Sequence, residues 1–414
     1  MRKFFTVLSL PCLAAASFTF GRDVAFEKHT LTSEYWCDGV NAADLDRDGH
    51  PDVVAGPFWY AGPDFKVRRA FHEPVPQALE TNPTDSMFSF IHDFNGDGWP
   101  DILVLGRVLF HQAFWYENPG AKQVGDPAAR WAKHFVCERV FGESPQFLDL
   151  DGDGKPEILA LSGSKAEDKV KQWGWYAPDW SAPEKPWHFV AVTEPAEFNH
   201  YYHGEGVGDI NGDGRLDLVI NDGWWEAPPK SAPAGTLWTA HRFPHPLGKK
   251  GGAQNLVFDV DGDGLNDIIS AIDAHGWGLS WFQQKRDAAG TIAFVEHRIM
   301  GTREEEKIFG VAFSQPHALT TADLDGDGLP DIVTGKRRWA HGPKGDIEPM
   351  ATPVNYWFQL VRDGHGGAKF VPHLIDDASA LGTQVEAVDV NQDGVPDVLT
   401  ASKLGVFVFL TQRK

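Results

Sequence analysis

The chain has 414 residues, with 37 Lys and Arg against 58 Asp and Glu and a formal net charge of −21. An acidic balance of this kind excludes a nucleic-acid partner. The 16 Trp, 28 Phe, 43 Gly and 28 Pro suit many short strands joined by turns, not a helical fold.

In chain order, residues 1–16 read as a signal peptide. Arg2 and Lys3 supply the basic start, residues 4–13 the apolar stretch, and Ala14-Ala15-Ala16 the small-residue cleavage site. The apolar stretch is too short to span a bilayer, so a secreted or periplasmic protein is expected, with no membrane insertion after cleavage. Ser9-Leu10-Pro11-Cys12 is a poor lipoprotein signal. Cleavage leaves Cys37 and Cys137, whose pairing the sequence leaves open; two partly buried thiols are the ordinary expectation.

Residues 22–414 repeat one motif, D-x-[DN]-x-D-G-x-x-[DE], seven times. The first three copies are Asp44, Asp46, Asp48, Asp52, then Asp93, Asn95, Asp97, Asp101, then Asp149, Asp151, Asp153, Glu157. The fourth and fifth are Asp209, Asn211, Asp213, Asp217 and Asp259, Asp261, Asp263, Asp267. The last two are Asp323, Asp325, Asp327, Asp331 and Asp389, Asn391, Asp393, Asp397. Their spacing of roughly 50–65 residues is that of propeller blades. A short alternating strand precedes each loop and an apolar strand follows it. Then come an aromatic strand, such as Phe58-Trp59-Tyr60, and often a fourth strand reading F-x-x-H-x-[IVL]. Four short strands per repeat predict an all-β, seven-bladed propeller with the loop between strands A and B of each blade. Residues 26–31 read as a D strand and 406–410 as a C strand, so the N-terminal strand is expected beside the C-terminal one, closing the ring.

Alternate carboxylates at positions 1, 3 and 5, a glycine at position 6 and a carboxylate at position 9 make an oxygen cage suited to calcium rather than magnesium. Up to seven structural calcium ions are expected. The loops hold 25 of the 58 acids, and seven divalent ions would bring the net charge from −21 to −7. Export supplies plentiful calcium for such sites.

These motifs resemble the FG-GAP/VCBS repeats of integrin α-like propellers, over essentially all of residues 22–414. The resemblance implies that strand A lies nearest the axis, that the calcium loops form the lower face, and that the D–A and B–C connections form the upper, functional face. On that face fall Asp38, His200, His203, Glu205, Gln254, Gln315, His317, Gln384 and Glu386 from D–A lead-ins. His111, Asp222, Asp273, His275, Lys336, Arg337, His341 and Lys403 come from B–C connections. They do not repeat, which marks a grafted site. His29, His134, His241, His297 and His373 recur on the outer strand and read as structural.

A narrower resemblance links His203-Gly204-Glu205-Gly206, Ala274-His275-Gly276, Ser314-Gln315-Pro316-His317, Gly335-Lys336-Arg337 with His341, and Gly382-Thr383-Gln384-Val385-Glu386 to the propeller portion of aldos-2-ulose dehydratases. It implies elimination of water from keto-sugars and a second divalent metal, zinc or magnesium, at the axis. Enzymes of that kind also carry cupin domains, for which this chain has no room, so only the dehydratase half is implied. His203 or His317 is then the expected base. Glu205 would orient a histidine or bind the metal, Lys336 and Arg337 would stabilise an enolate, and His275 completes the set; Trp277 would stack on a sugar ring. The expected partner is a carbohydrate or other small molecule, or a protein ligand. The alternative reading is a non-catalytic ligand-binding or adhesion module.

Overall fold

The computed structural model describes residues 21–79, 84–106, 112–163, 169–248 and 251–414. The signal-peptide reading over 1–16, and His111, lie outside the described residues. The described chain forms seven antiparallel sheets and a single short α-helix, Glu306–Phe309.

From the axis outward, six sheets run A, B, C, D in chain order, and blade three adds the two-residue strand Ala196–Glu197 beside its C strand. Blade one is Val40–Ala43, Asp52–Ala55, Phe58–Ala61 and Val67–Ala70. Blade three begins with Phe141–Leu148 and Glu157–Ser162, blade five with Leu256–Phe258 and Asp267–Ala271, and blade six with Pro316–Ala322 and Asp331–Lys336. In blade seven, Val385–Val388, Asp397–Ser402 and Gly405–Arg413 are joined by the N-terminal strand Val24–Thr32, which pairs antiparallel from Val24 opposite Arg413 to Thr32 opposite Val406.

Burial explains the sequence pattern of each blade. The B strands are buried throughout, as in Asp101–Leu105 and Asp267–Ala271, because neighbouring blades cover both faces; their apolar runs therefore do not alternate. The D strand Thr239–Arg242 is largely exposed and polar. In register opposite B-strand Val54, Leu103, Leu159, Val219, Ile269 and Val333 stand Trp59, Trp115, Trp175, Trp224, Trp281 and Trp357. Blade seven has Val408 at this place, opposite Leu399. The core is accordingly a ring of seven apolar clusters, each shared by two adjacent blades. Leu103, Trp115, Ile158 and Ala160 join blades two and three, and Leu399, Val408, Val53 and Tyr60 join blades seven and one. Burying this area is the main force that holds the ring. Cys37 and Cys137 are both free and buried, in different clusters, and burial pushes the Cys137 thiol up to about 12.

Four of the five outer histidines stack on a Trp of strand C, while His29 stands opposite Val408. His134, His241, His297 and His373 stack on Trp115, Trp224, Trp281 and Trp357 with ring centroids 4.0–4.5 Å apart. These are cross-strand pairs of the kind that stabilise sheets.

Candidate functional site

Each D-x-[DN]-x-D-G loop is organised by its first and last carboxylates. The position 1 carboxylate accepts the N–H of the position 6 glycine at 2.8–3.1 Å in all seven loops. The position 9 carboxylate accepts the N–H of position 2, as in Leu45 to Asp52 at 2.8 Å and Leu324 to Asp331 at 3.1 Å. In six blades its other oxygen accepts an N–H three residues beyond the C-strand Trp or Val, as in Asn118 to Asp101 at 2.7 Å. Blade three has Pro178 at that place, which has no N–H to donate, and it is the blade in which position 9 is Glu157.

Position 6 needs glycine for its backbone, not for space. Gly264 has φ +84° and nothing within 4 Å of where a Cβ would lie. Gly264→Ala should therefore cost about 1–2 kcal/mol of left-handed strain and no clash, measured by chemical denaturation. Position 4 is left-handed as well. Five loops have glycine there, while Arg47 and Gln392 take φ 59° and 61°.

Three loops bring their carboxylates close enough together for one cation to meet all of them. Ligand atoms of Asp44, Asp46 and Asp48 lie within 4.8 Å of one another, as do those of Asp149, Asp151 and Glu157 and those of Asp259, Asp261 and Asp263. Oxygens about 2.3–2.6 Å from one ion span such distances. Burial pushes the position 9 carboxyls up, to about 7 for Asp52, Asp101, Glu157 and Asp217, about 6 for Asp267 and Asp397, and about 8 for Asp331. Buried anions of this kind call for a cation.

At the opposite ends of the sheets, four blades bring reactive side chains to one place. Glu143 comes from strand A of blade three, His203 from the lead-in to blade four, His275 from the B–C connection of blade five, and His317 from strand A of blade six. The three imidazoles stand at the corners of a near-equilateral triangle, with centroids 5.0–5.1 Å apart and planes 76–88° to one another. His203 Nε2 and His317 Nε2 are 3.3 Å apart, and Glu143 Oε2 lies 3.4 Å from the first and 3.3 Å from the second. The edge of a tetrahedron of ligands around zinc at about 2.1 Å is ~3.4 Å. Arg337 donates to His317 Nε2 at 2.8 Å and lies 3.7 Å from both Glu143 and Asp38. Asp38 accepts from the Tyr35 hydroxyl at 3.0 Å. Burial and the Arg337 charge hold His317 well below its usual range. Burial alone would raise the Glu143 carboxyl, but His203 and His317 hold it well below.

Two groups flank this centre. Asp346 Oδ1 accepts from His341 Nδ1 at 2.7 Å and lies 3.6 Å from His275 Nδ1. Its Oδ2 accepts the N–H groups of Ala340 and His341. Burial opposes its charge, but the His275 and His341 rings and these N–H groups hold Asp346 far below the usual carboxylate range. Glu205 is fully buried, and neither carboxyl oxygen has a hydrogen-bond partner within the described residues. Burial, then the charge on Glu143, pushes it well above the usual range. A Cβ on Gly142, beside Glu143, would lie 2.7 Å from Glu205 Oε2, and φ there is +91°.

His203, His275, His317 and Arg337 are thus brought together, with Glu205 packed beside them. Lys336 is not among them. Its Nζ donates to Ser314 Oγ at 2.8 Å, and burial lowers it to about 8. Arg337, one residue past the strand end, turns to His317 instead. Trp277 carries Arg303 5.3 Å from its ring. Gln254 ties blade five to blade six through Leu319, Gln384 ties blade seven to blades one and two through Val40 and Ser89, and Glu386 accepts from Gln384. Sequence reasoning missed Glu143 and Asp346. A groove of 900 Å³ on the flank of blades four and five contains none of the axial residues.

A ring of seven four-stranded blades with an acidic loop between strands A and B defines a β-propeller. An FG-GAP-like repeat description matches two stretches of this chain, residues 93–160 and 259–334. No curated protein matches the chain. Among solved structures, BBS1N in complex with ARL6DN is similar at 9% identity and TM-score 0.44, covering 92% of this chain and 93% of that one. Rhamnogalacturonan lyase YesW is similar at 12% identity and TM-score 0.42, covering 91% and 71%. A mutant of the Aleuria aurantia lectin AAL in complex with Fucalpha1-6GlcNAc is similar at 10% identity and TM-score 0.39, covering 88% and 98%.

Proposed function

We propose that this chain is an exported, calcium-binding propeller whose axial face binds carbohydrate and eliminates water from keto-sugars. The observation that carries the reading is the convergence of Glu143, His203, His275 and His317 with Arg337 at one buried point. Three nitrogens and one carboxylate suit zinc better than magnesium, which prefers oxygen ligands. A divalent ion held there supplies Lewis-acid polarisation of a carbonyl oxygen.

The remaining groups match the needs of β-elimination. His203 and His317, expected as bases, turn their Nε2 atoms towards each other and Glu143, and we assign them as metal ligands. The base is His341, whose side chain is 60% exposed and whose Nδ1 is tied to Asp346, leaving Nε2 for the proton. His341 removes the proton beside the carbonyl, and the electron pair passes into an enolate. Arg337 stabilises the enolate oxygen. The pair then forms the carbon–carbon double bond as the β-hydroxyl leaves, taking a proton from the Glu205 carboxyl to depart as water.

The test is a panel of keto-sugars and keto-glycosides, followed by the ultraviolet absorbance of the enone product. The wild type should generate it, and His341→Ala should lower turnover by about 10²–10⁴-fold. Full activity in both His203→Ala and His317→Ala would sink the assignment.

A further inference from the structure

Four blades carry a chain of contacts from the outer strand to the cation loop. Two residues after the C-strand Trp stand Glu117, Glu226, Gln283 and Gln359. Each is bonded to the Nε2 of the stacked histidine at 2.8–3.2 Å: Glu117 to His134, Glu226 to His241, Gln283 to His297, and Gln359 to His373. Blades one and three have no such histidine. Opposite Trp59 and Trp175 stand Arg69 and Val190, and the residue two places on is Ala61 or Ala177. The histidine and the Glu or Gln therefore occur together or not at all in these six blades.

The inner end of the chain meets position 3 of the loop, and its chemistry is matched. Gln359 Nε2 donates to Asp325 Oδ2 at 2.5 Å, and Gln283 Nε2 donates to Asp261 Oδ2. Where position 3 is Asn95, the polarity reverses, and Asn95 Nδ2 donates to Glu117 Oε1 at 3.3 Å. Each pair thus has one donor facing one acceptor and a single carboxylate. Blade four keeps the residue types, Asn211 with Glu226, but Arg215 of the loop lies 3.9 Å from Glu226 Oε1. Gln283 and Gln359 are 8% and 4% exposed, so a mismatched partner has little water to turn to.

We propose that Glu117, Gln283 and Gln359 are positioning residues for cation binding, each aimed by its Trp–His stack at the position 3 side chain of the loop. The proposal rests on the calcium reading of the loops. The Gln amide occupies Asp Oδ2, so the ion would meet Oδ1, which accepts only the N–H of position 5, Asp327 or Asp263, at 3.1 Å. Asn95 Nδ2 donates to Glu117 at 3.3 Å and to Asp97 Oδ2 at 3.2 Å, and Glu117 thereby adds to the hold that turns the amide oxygen to the ion. The Asp/Gln and Asn/Glu pairs also keep the charge around the ion constant, since strand C returns the carboxylate that asparagine removes. Outer partners of metal ligands typically set about 10–100-fold of affinity.

The test uses the full chain, freed of metal and dialysed against graded radioactive calcium. Gln359→Leu should move the binding of one ion to about tenfold higher free calcium. Asp325→Asn alone should also weaken that site. The pair Asp325→Asn with Gln359→Glu, which recreates the blade-two arrangement, should return it to within about threefold of wild type. Gln283→Leu, with the same shift expected in blade five, keeps the test open if one variant folds poorly. A wild-type titration curve for both leucine variants, or a double variant no better than Asp325→Asn, would overturn the proposal. A wild-type chain that binds no calcium overturns the underlying reading itself, and is told apart because no variant then has a curve to shift.

Discussion

Stripping divalent ions should lower the melting temperature by about 10 °C or more at pH 8 and by far less at pH 5. Each ion at 100 times its Kd adds ~2.7 kcal/mol to the folded state, and the loops offer seven such places. The pH dependence follows from the position 9 carboxyls, whose folded values are raised to about 6–8 by burial. Raised carboxyls favour the neutral form in the fold. The metal-free fold therefore pays nothing below the unfolded value near 4, loses stability as pH rises from there through the folded values, and carries the full cost above about pH 8. One such group gives a slope of up to ~1.4 kcal/mol per pH unit, and several act together here. Calcium removes the penalty by neutralising the anions it binds, so calcium-loaded protein should melt at nearly the same temperature across this range. A metal-free melting temperature that stays level from pH 5 to 8 and does not move on adding calcium would refute the loop assignment.

The blades were legible because the same physical demand recurs seven times. A glycine after three alternate acids, an apolar run and a Trp strand can be read in one copy and checked in six others. The recurrence of His134, His241, His297 and His373 marked them as structural before their Trp partners were known. The axial centre has no second copy, so only the failure to repeat distinguishes His203, His275, His317 and Arg337. Glu143 escaped because it is a single acid between Gly142 and Ser144, outside the repeated motif and without a counterpart in the other blades. Asp346 sits in the long connection after Arg337, among several charges without period. Its role comes from the fold of that connection, which aims the N–H groups of Ala340 and His341 at it. Lys336 was read with Arg337 as a basic pair, but Lys336 bonds Ser314 while Arg337 meets His317. The match of Glu157 with Pro178 needs the C strand in register and cannot be read from the loop alone.

Zinc titrated into the calcium-loaded chain should bind at one additional place, and Glu143→Ala or His317→Ala should weaken it by at least about 100-fold, beyond the range of an outer partner. Asp346→Asn should cost less, about 10–100-fold, because Asp346 meets the His275 ring only from behind, at 3.6 Å. Arg337 separates this reading from a merely structural cluster. Its guanidinium holds the lone pair of His317 Nε2 that a metal would use, at 2.8 Å, and adds a positive charge beside Glu143. Arg337→Met should therefore tighten zinc binding while turnover of a keto-sugar falls, since the same charge is needed later by the enolate oxygen. A structural cluster gives the opposite result. Losing the guanidinium would then leave Glu143 and Asp38 buried without their counter-charge and lower stability, with no gain in metal affinity. If zinc affinity is unchanged or weaker in Arg337→Met, and Glu143→Ala binds zinc as the wild type does, the axial residues are not a metal centre and the proposed elimination loses its electrophile.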